Sequence, residues 1–360
     1  ASRALAGRKD GASPASRHAP AYLDIVEGRR DEARTFLAEA RATSPAWIAA
    51  LEAEADLAVD EGETSAALEA YRALSRLVPS DARARERAET LRASVAASKR
   101  ASAEEALAAG DLDAARRHAS SLLQLEPESV AALVLLSKTA SAGGRSEDAW
   151  TWAREARRKA PSDSSVAAFA GDAAAKAGRW ADAATLYEEA SASDPAAAAK
   201  AEEARLEFKV QNLPEAARAA ALSARLTRAQ LASLLWWTVP EFREALVPPG
   251  TEIAVDVVGR PDQGPLVKAI GLGFLDVSPE THRVGTESTV SRAELAAALR
   301  RVALLAGRGR PPKGCLSSSK EGSLAECGIL GSTPPRSVTG REALRAMEKA
   351  ARIGREGGTR

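Results

Sequence analysis

Residues 144–161, GRSEDAWTWAREARRKAP, and residues 178–195, GRWADAATLYEEASASDP, share one frame: a glycine, an alanine five residues on, a second alanine seven further, and a proline five after that. The frame is met three more times upstream, at Gly28, Ala33, Ala40, Pro45, at Gly62, Ala67, Leu74, Pro79, and at Gly110, Ala115, Leu122, Pro127. The closing prolines are therefore spaced by 34, 48, 34 and 34 residues. A sixth, weaker copy keeps Asn212, Ala217 and Ala224 without a proline. A period near 34 residues with small residues at fixed places is the mark of stacked helical hairpins, no one of which can bury its apolar face alone.

Each frame residue has a physical task. Glycine, or asparagine in the sixth copy, supplies a left-handed residue that ends the first helix of a hairpin. Proline, which lacks an N–H and blocks helix continuation, stops the second. Alanines where helices cross let backbones approach closely. The 48-residue step holds 14 extra residues near 80–95, and SDARARERAETLRASVAASKR reads as unbroken polar helix, so one hairpin helix is expected to be about four turns longer than its counterparts.

With a further small residue seven before each glycine, at Ala21, Ala55, Ala103, Ser137 and Gly171, and aromatics at Tyr71 and Tyr187, the pattern resembles the tetratricopeptide repeat over about residues 14–226. The first copy departs from it through Pro20, which delays the first helix to about Ala21. The resemblance implies a right-handed superhelix whose concave face, lined by the first helices, holds a protein partner. The asparagine-and-lysine clamp that some such proteins use for a C-terminal carboxylate is missing, because Asn212 is the only asparagine and falls at a turn. Trp150, Trp152 and Trp180 fit helix crossings better than a contact surface.

Composition points the same way. The 360 residues exceed one average domain, and aromatic content of 4% favours thin, closely packed helices. A formal charge of +1, from 50 basic and 49 acidic residues, gives no electrostatic footprint for nucleic acid. No stretch approaches the length of apolar sequence that spans a bilayer. The opening ASRALAGRKDGASPASRHAP has no apolar signal core and reads as a flexible tail, residues 1–20.

After Ala224 the design changes. LTRAQLASLL from Leu226, VSRAELAAAL from Val290 and VTGREALRAM from Val338 each start with an apolar residue and a hydroxyl residue. Thr227, Ser291 and Thr339 are placed to cap helices, with Gln230, Glu294 and Glu342 three residues on to complete capping boxes. Leu226 with Leu231, and Val290 with Leu295, would form hydrophobic staples. These segments, with Asp256-Val257 and a short helix ending at Gly271 or Gly273 between the first two, resemble S-layer homology domains over about residues 225–353. A third, degenerate copy places its short helix from about Gly322 to Leu330. The resemblance implies three units folded as a three-sided prism that binds cell-wall polysaccharide, with the signature arginines donating to acidic groups of the glycan. By position the candidates are Arg228 and Arg292, while the third copy has Gly340 in that place. Trp236 and Trp237 either stack on a sugar or cover a seam of the fold.

Cys315 and Cys327 are the only cysteines and flank a serine-rich loop, with His18, His118 and His282 scattered elsewhere. A zinc site is not expected, and a disulfide closing that loop is, which would imply an oxidising compartment. No nucleophile elbow or phosphate loop is present, and GLGFLD at Gly271 lacks the frame of a dinucleotide fingerprint. GRGRPPKG from Gly307 reads as a connection.

The expected fold is therefore all-α: a tail over 1–20, a solenoid of about six hairpins over 21–225, a small helical module over 226–353 and a short tail over 354–360. The expected role is a non-catalytic adaptor without cofactor or metal, exported to the bacterial envelope, with the array on a protein and the module on wall material. Two alternatives stand beside it: an accessory subunit of an envelope complex whose two modules bind protein only, and a cytoplasmic peptide-binding co-chaperone.

Overall fold

A computed structural model describes residues 29–44, 46–309, 328–330 and 337–357, and these hold sixteen helices and no β-strand beyond a single bridge between Thr227 and Thr289. The chain divides into two compact units, Ala1–Ala198 and Ala199–Arg360. The tail at 1–20, the first helix expected from Ala21, Cys315, Cys327 and most of the helix expected at Gly322–Leu330 lie outside the described residues; Gly328, Ile329 and Leu330 form a turn.

The first unit is a succession of hairpins. Helix α1 (Arg30–Thr43) is followed by α2 (Ile48–Asp60) with α3 (Thr64–Leu77), α4 (Ala82–Ala109) with α5 (Leu112–Leu125), α6 (Val130–Ala142) with α7 (Ser146–Lys159), and α8 (Ser164–Lys176) with α9 (Trp180–Ser191). Gly62, Gly110, Gly144 and Gly178, at the turns inside the four complete hairpins, all have φ between 71° and 80°, the left-handed conformation the frame demanded. Pro79, Pro127 and Pro161 each stand one residue beyond a C-cap, at Val78, Glu126 and Ala160. Ala33, Ala67, Ala115, Ala149 and Ala183 are at most 1% exposed, so the frame alanines are the crossing points. Trp150 is buried at such a crossing and Trp152 packs on the clusters around Leu122 and Leu133.

Two of the four small residues that precede these glycines show why size matters there. Ser137 is buried and its hydroxyl donates to the Ala149 carbonyl at 2.8 Å, tying α6 to α7. A Cβ on Gly171 would stand 2.8 Å from the Tyr187 ring, whose hydroxyl donates to Asp172 at 2.7 Å. The same bond joins Tyr71 to Asp56 earlier in the array, also at 2.7 Å.

Helix α4 carries the 14-residue insertion. It has 28 residues where α2, α6 and α8 have 13. Ala84, Ala88 and Val95 in its first part pack with Leu68, Tyr71 and Leu74 of α3, while Ala96 and Ala103 pack with Ala119, Leu122 and Leu135 of α5 and α6.

The second unit contains most of α10 (Pro195–Gln211), α11 (Glu215–Leu222), α12 (Arg228–Thr238), α13 (Pro240–Glu244), α14 (Gln263–Gly271), α15 (Arg292–Ala306) and α16 (Gly340–Gly357). Two frame expectations need correction here. Asn212 is not left-handed; its side-chain amide instead donates to the Phe208 carbonyl at 2.7 Å, satisfying the end of α10 by a different route. Pro195 does not stop α9, which ends at Ser191; it is the first residue of α10, where a missing N–H costs nothing.

The three signature segments meet in one apolar core. Val290 N–H donates to the Leu226 carbonyl at 2.8 Å and Leu226 N–H to the Val338 carbonyl at 2.9 Å, so the residues ahead of the three caps are strung together. All three are nearly fully buried, as are Leu231 and Leu295. Thr227 with Gln230, and Ser291 with Glu294, make both bonds of a capping box.

Candidate interaction surfaces

Two surfaces follow from the residues singled out above: the face of the first helices in the first unit, and the signature edges in the second.

The period of 34 places Arg100 and Glu104 of α4, Val134 and Lys138 of α6, and Ala168 and Asp172 of α8 at equivalent positions. Between α4 and α6 these side chains border a cleft of about 400 Å3, with Leu107, Ala131 and Leu135 in its wall. Its floor is small and apolar and its rim charged, Arg100 lying 3.7 Å from Glu104 and Lys138 standing in solvent. On α8, Asp172 holds the Tyr187 hydroxyl, and Lys176 reaches across to the Ser141 hydroxyl of α6 at 3.1 Å. Such a face can take an apolar segment along its floor and opposite charges at its edges.

In the second unit the signature arginines are engaged. Arg228 donates through Nε and Nη2 to Oε1 of Glu294, at 2.9 and 2.5 Å, and through Nη1 to the Val284 carbonyl. Oε2 of the same Glu294 accepts the Ser291 N–H at 2.7 Å, so one carboxylate serves both its own cap and the preceding signature. Arg292 in turn reaches Glu342, the cap glutamate of the third copy, at 3.3 Å. The rule is that the arginine of one signature meets the glutamate of the next.

Applied a third time, the rule would pair position 340 with position 230, and there glycine stands for arginine and glutamine for glutamate. The two departures belong to one edge. A Cβ on Gly340 would lie 1.9 Å from the Ala220 carbonyl oxygen and 2.7 Å from the Ala221 carbonyl, and Gly340 N–H donates to the Ser223 carbonyl at 2.9 Å. The end of α11 occupies the place of the missing side chain. Arg341 points to Glu207 of α10 instead, at 2.5 Å.

Asp256, of the Asp-Val pair, fastens the loop that Arg228 also touches, accepting N–H groups of Val284, Gly285 and Thr286 at 2.9, 2.8 and 3.1 Å. Burial opposes its charge, but these bonds outweigh burial and hold the carboxyl below its ordinary value. Glu294 behaves alike: burial works against it, and the Ser291 cap and the Arg228 guanidinium prevail and lower it.

Trp236 and Trp237 sit at the other end of α12 from Arg228, roughly 12 Å along the helix axis. Trp236 is half-buried against the core, with Lys268 Nζ 5.6 Å from its ring centre, and Trp237 is 44% exposed. Arginines and tryptophans are thus not gathered on one spot. Cys315 and Cys327 fall outside the described residues. Among the described residues no group of three or more His, Cys, Asp or Glu stands close enough to hold a metal, and no helix is long and apolar enough to cross a membrane.

Residues 106–173 match the tetratricopeptide repeat family model, covering α5, α6, α7 and parts of α4 and α8. No curated protein matches the chain. Among solved structures it is similar to PilW, a widely conserved type IV pilus biogenesis factor, at 13% identity over 53% of this chain and 97% of that one, with a TM-score of 0.27. The TPR2AB domain of yeast Sti1, in complex with a pHSP90, is similar at 13% identity over 57% and 87%, with a TM-score of 0.28. A thermophilic repeat protein of Thermus thermophilus, TTC0263, is similar at 17% identity over 54% and 100%, with a TM-score of 0.25. The hairpins within residues 106–173 are thus of the tetratricopeptide type.

Proposed function

We propose that this chain is a non-catalytic scaffold whose first helices α4, α6 and α8 hold a segment of a partner protein, and whose second unit contacts protein rather than glycan. The observation that carries the first half is the cleft between α4 and α6, apolar in its floor and bordered by Arg100, Glu104 and Lys138. It is tested by capture from extracts of the source organism with the full chain and with the Arg100→Glu/Lys138→Glu variant. Proteins retained by the chain and lost by a variant of unchanged circular dichroism support the groove. Equal retention by both overturns it.

For the second half, the engagement of Arg228 by Glu294 and Val284, and of Arg292 by Glu342, favours the protein-only reading over wall anchoring. A glycan carboxylate would have to displace a guanidinium partner already in place. The full chain should pass through a column of purified wall polymer. Retention that Arg292→Ala abolishes would restore the polysaccharide reading and, with it, an exported adaptor of the envelope.

A further inference from the structure

The period of 34 runs two steps beyond the cleft between α4 and α6. It carries Val134 and Ala168 to Glu202, and Lys138 and Asp172 to Leu206, both on α10. On α6 Val134 and Lys138 border the cleft, and on α8 Ala168 and Asp172 are half-buried; Leu206 is 2% exposed and Val210, one helical turn on, 3%. α16 runs alongside them, its Arg345, Glu348 and Lys349 bordering a crevice with Leu206. Leu206 and Val210 share one core cluster with Leu344 and Met347 of that helix.

Charged pairs line both margins of the contact. Arg341 holds Glu207 at 2.5 Å, Lys209 Nζ reaches Glu348 at 2.6 Å, and Arg345 is bonded to Glu203. Only a remnant of about 190 Å3 is left beside them, bordered by Glu202, Arg205, Arg345, Lys349 and Arg352. Leucine in place of lysine or aspartate at this step of the period fits a surface meant to be covered. Three pairs of opposite charge spaced along two helices fix direction and register as well as contact.

We infer that α16 is the chain's own occupant of the side of α10 that the 34-residue period makes equivalent to the first-helix face of α6 and α8, lying where a bound segment would lie, so that this position of the repeat is closed to a partner. This rests on reading the first helices as the partner-binding face. The helix is no loose inhibitor. Ala343, Leu344, Ala346, Met347 and Ala350 are buried in the same core, so the stop is permanent.

The unmodified full chain carries its own test. A water-soluble carbodiimide activates a carboxylate and joins it to an amine within reach, forming an amide while the reagent takes up the water lost and leaves as a urea. Peptide mass spectrometry should find Lys209 linked to Glu348. Lys159 with Glu128, on the other unit, serves as the positive control. A control link without the 209–348 link overturns the proposal. With Cys315 and Cys327 changed to serine, maleimide should modify Lys138→Cys at the rate of an exposed thiol and Leu206→Cys on the order of 100-fold more slowly, since the latter reacts only after local opening. Equal rates in a folded Leu206→Cys variant would overturn it as well. Neither readout involves a partner, so failure here is distinct from failure of the groove itself.

Discussion

Arg228 and Glu294, 66 positions apart, are joined by two hydrogen bonds to a single carboxylate oxygen, the other oxygen being used by the glutamate's own helix cap. Both side chains are about two-thirds withdrawn from solvent. Charge-assisted bonds of this kind contribute about 1.5–3 kcal/mol each when well shielded, and less at partial exposure. Arg228→Ala should therefore lower the urea-unfolding stability of the second unit by about 1–2 kcal/mol. Arg228→Lys should recover little of it, because a single ammonium cannot reach Glu294 and the Val284 carbonyl together.

Acid should act on the same edge. Asp256 and Glu294 are both held below their ordinary values in the folded chain. Their stabilisation is present above the unfolded value, near pH 4, and is lost as pH falls through the lower folded one. Unfolding midpoints between pH 5 and pH 2 should decline, and Asp256→Asn should flatten that decline while lowering stability at neutral pH.

Gly340→Ala should be among the most damaging single methyl additions in the chain. The new carbon would overlap the Ala220 carbonyl, which belongs to backbone and cannot swing aside. About 3 kcal/mol or more is expected, by overpacking with no side chain to relax. Gly62→Ala is the comparison: its φ of 73° is strained for alanine, yet nothing stands within 4 Å, so about 1–2 kcal/mol is expected. Thermal unfolding of the two variants should rank them in that order.

Burial first, and the Asp56 carboxylate second, push the Tyr71 phenol up to about 12. Tyr187 is raised for the same reasons, with Asp172 in the second role. A folded value above the unfolded one near 10 means stability that is whole below pH 10 and lost as pH rises through the folded value. Ultraviolet titration should show a phenol that ionises at about 12, lost from the profile in Tyr71→Phe. That variant should also cost about 1 kcal/mol at neutral pH through the lost bond to Asp56.

These predictions divide along the line between what the sequence made legible and what it hid. Gly62, Gly110, Gly144 and Gly178 were legible because a left-handed turn is a local demand that one residue type meets. The capping boxes at Thr227 and Ser291 were legible for the same reason: partner and cap are three residues apart. Arg228 and Arg292 were legible as special but not as engaged, since their partners lie 66 and 50 positions on, and nothing local marks that distance. Gly340 and Gln230 appeared as two separate losses, and only the fold shows them to be the two sides of one edge taken by α11. Asn212 misled because asparagine can end a helix either by a left-handed backbone or by its side-chain amide, and the sequence does not choose. Leu206 and Lys138 differ by a residue type whose meaning depends on α16, a helix that begins only at Gly340.

Helix α4 sets a rule of phase. Its 14 extra residues amount to roughly 3.9 turns, so the apolar positions after the insertion come round to nearly the azimuth they had before it. Along the axis of α4 the extra residues advance roughly 21 Å and fall only about 40° short of a whole number of turns. Length changes here are thus quantised: removing eleven residues, close to three turns, would shorten the step and leave Ala96 and Ala103 facing α5, whereas adding two would swing them by about 200° and aim every later hairpin at the opposite side. The insertion behaves as a screw thread, in which translation is permitted by the turn and orientation is conserved.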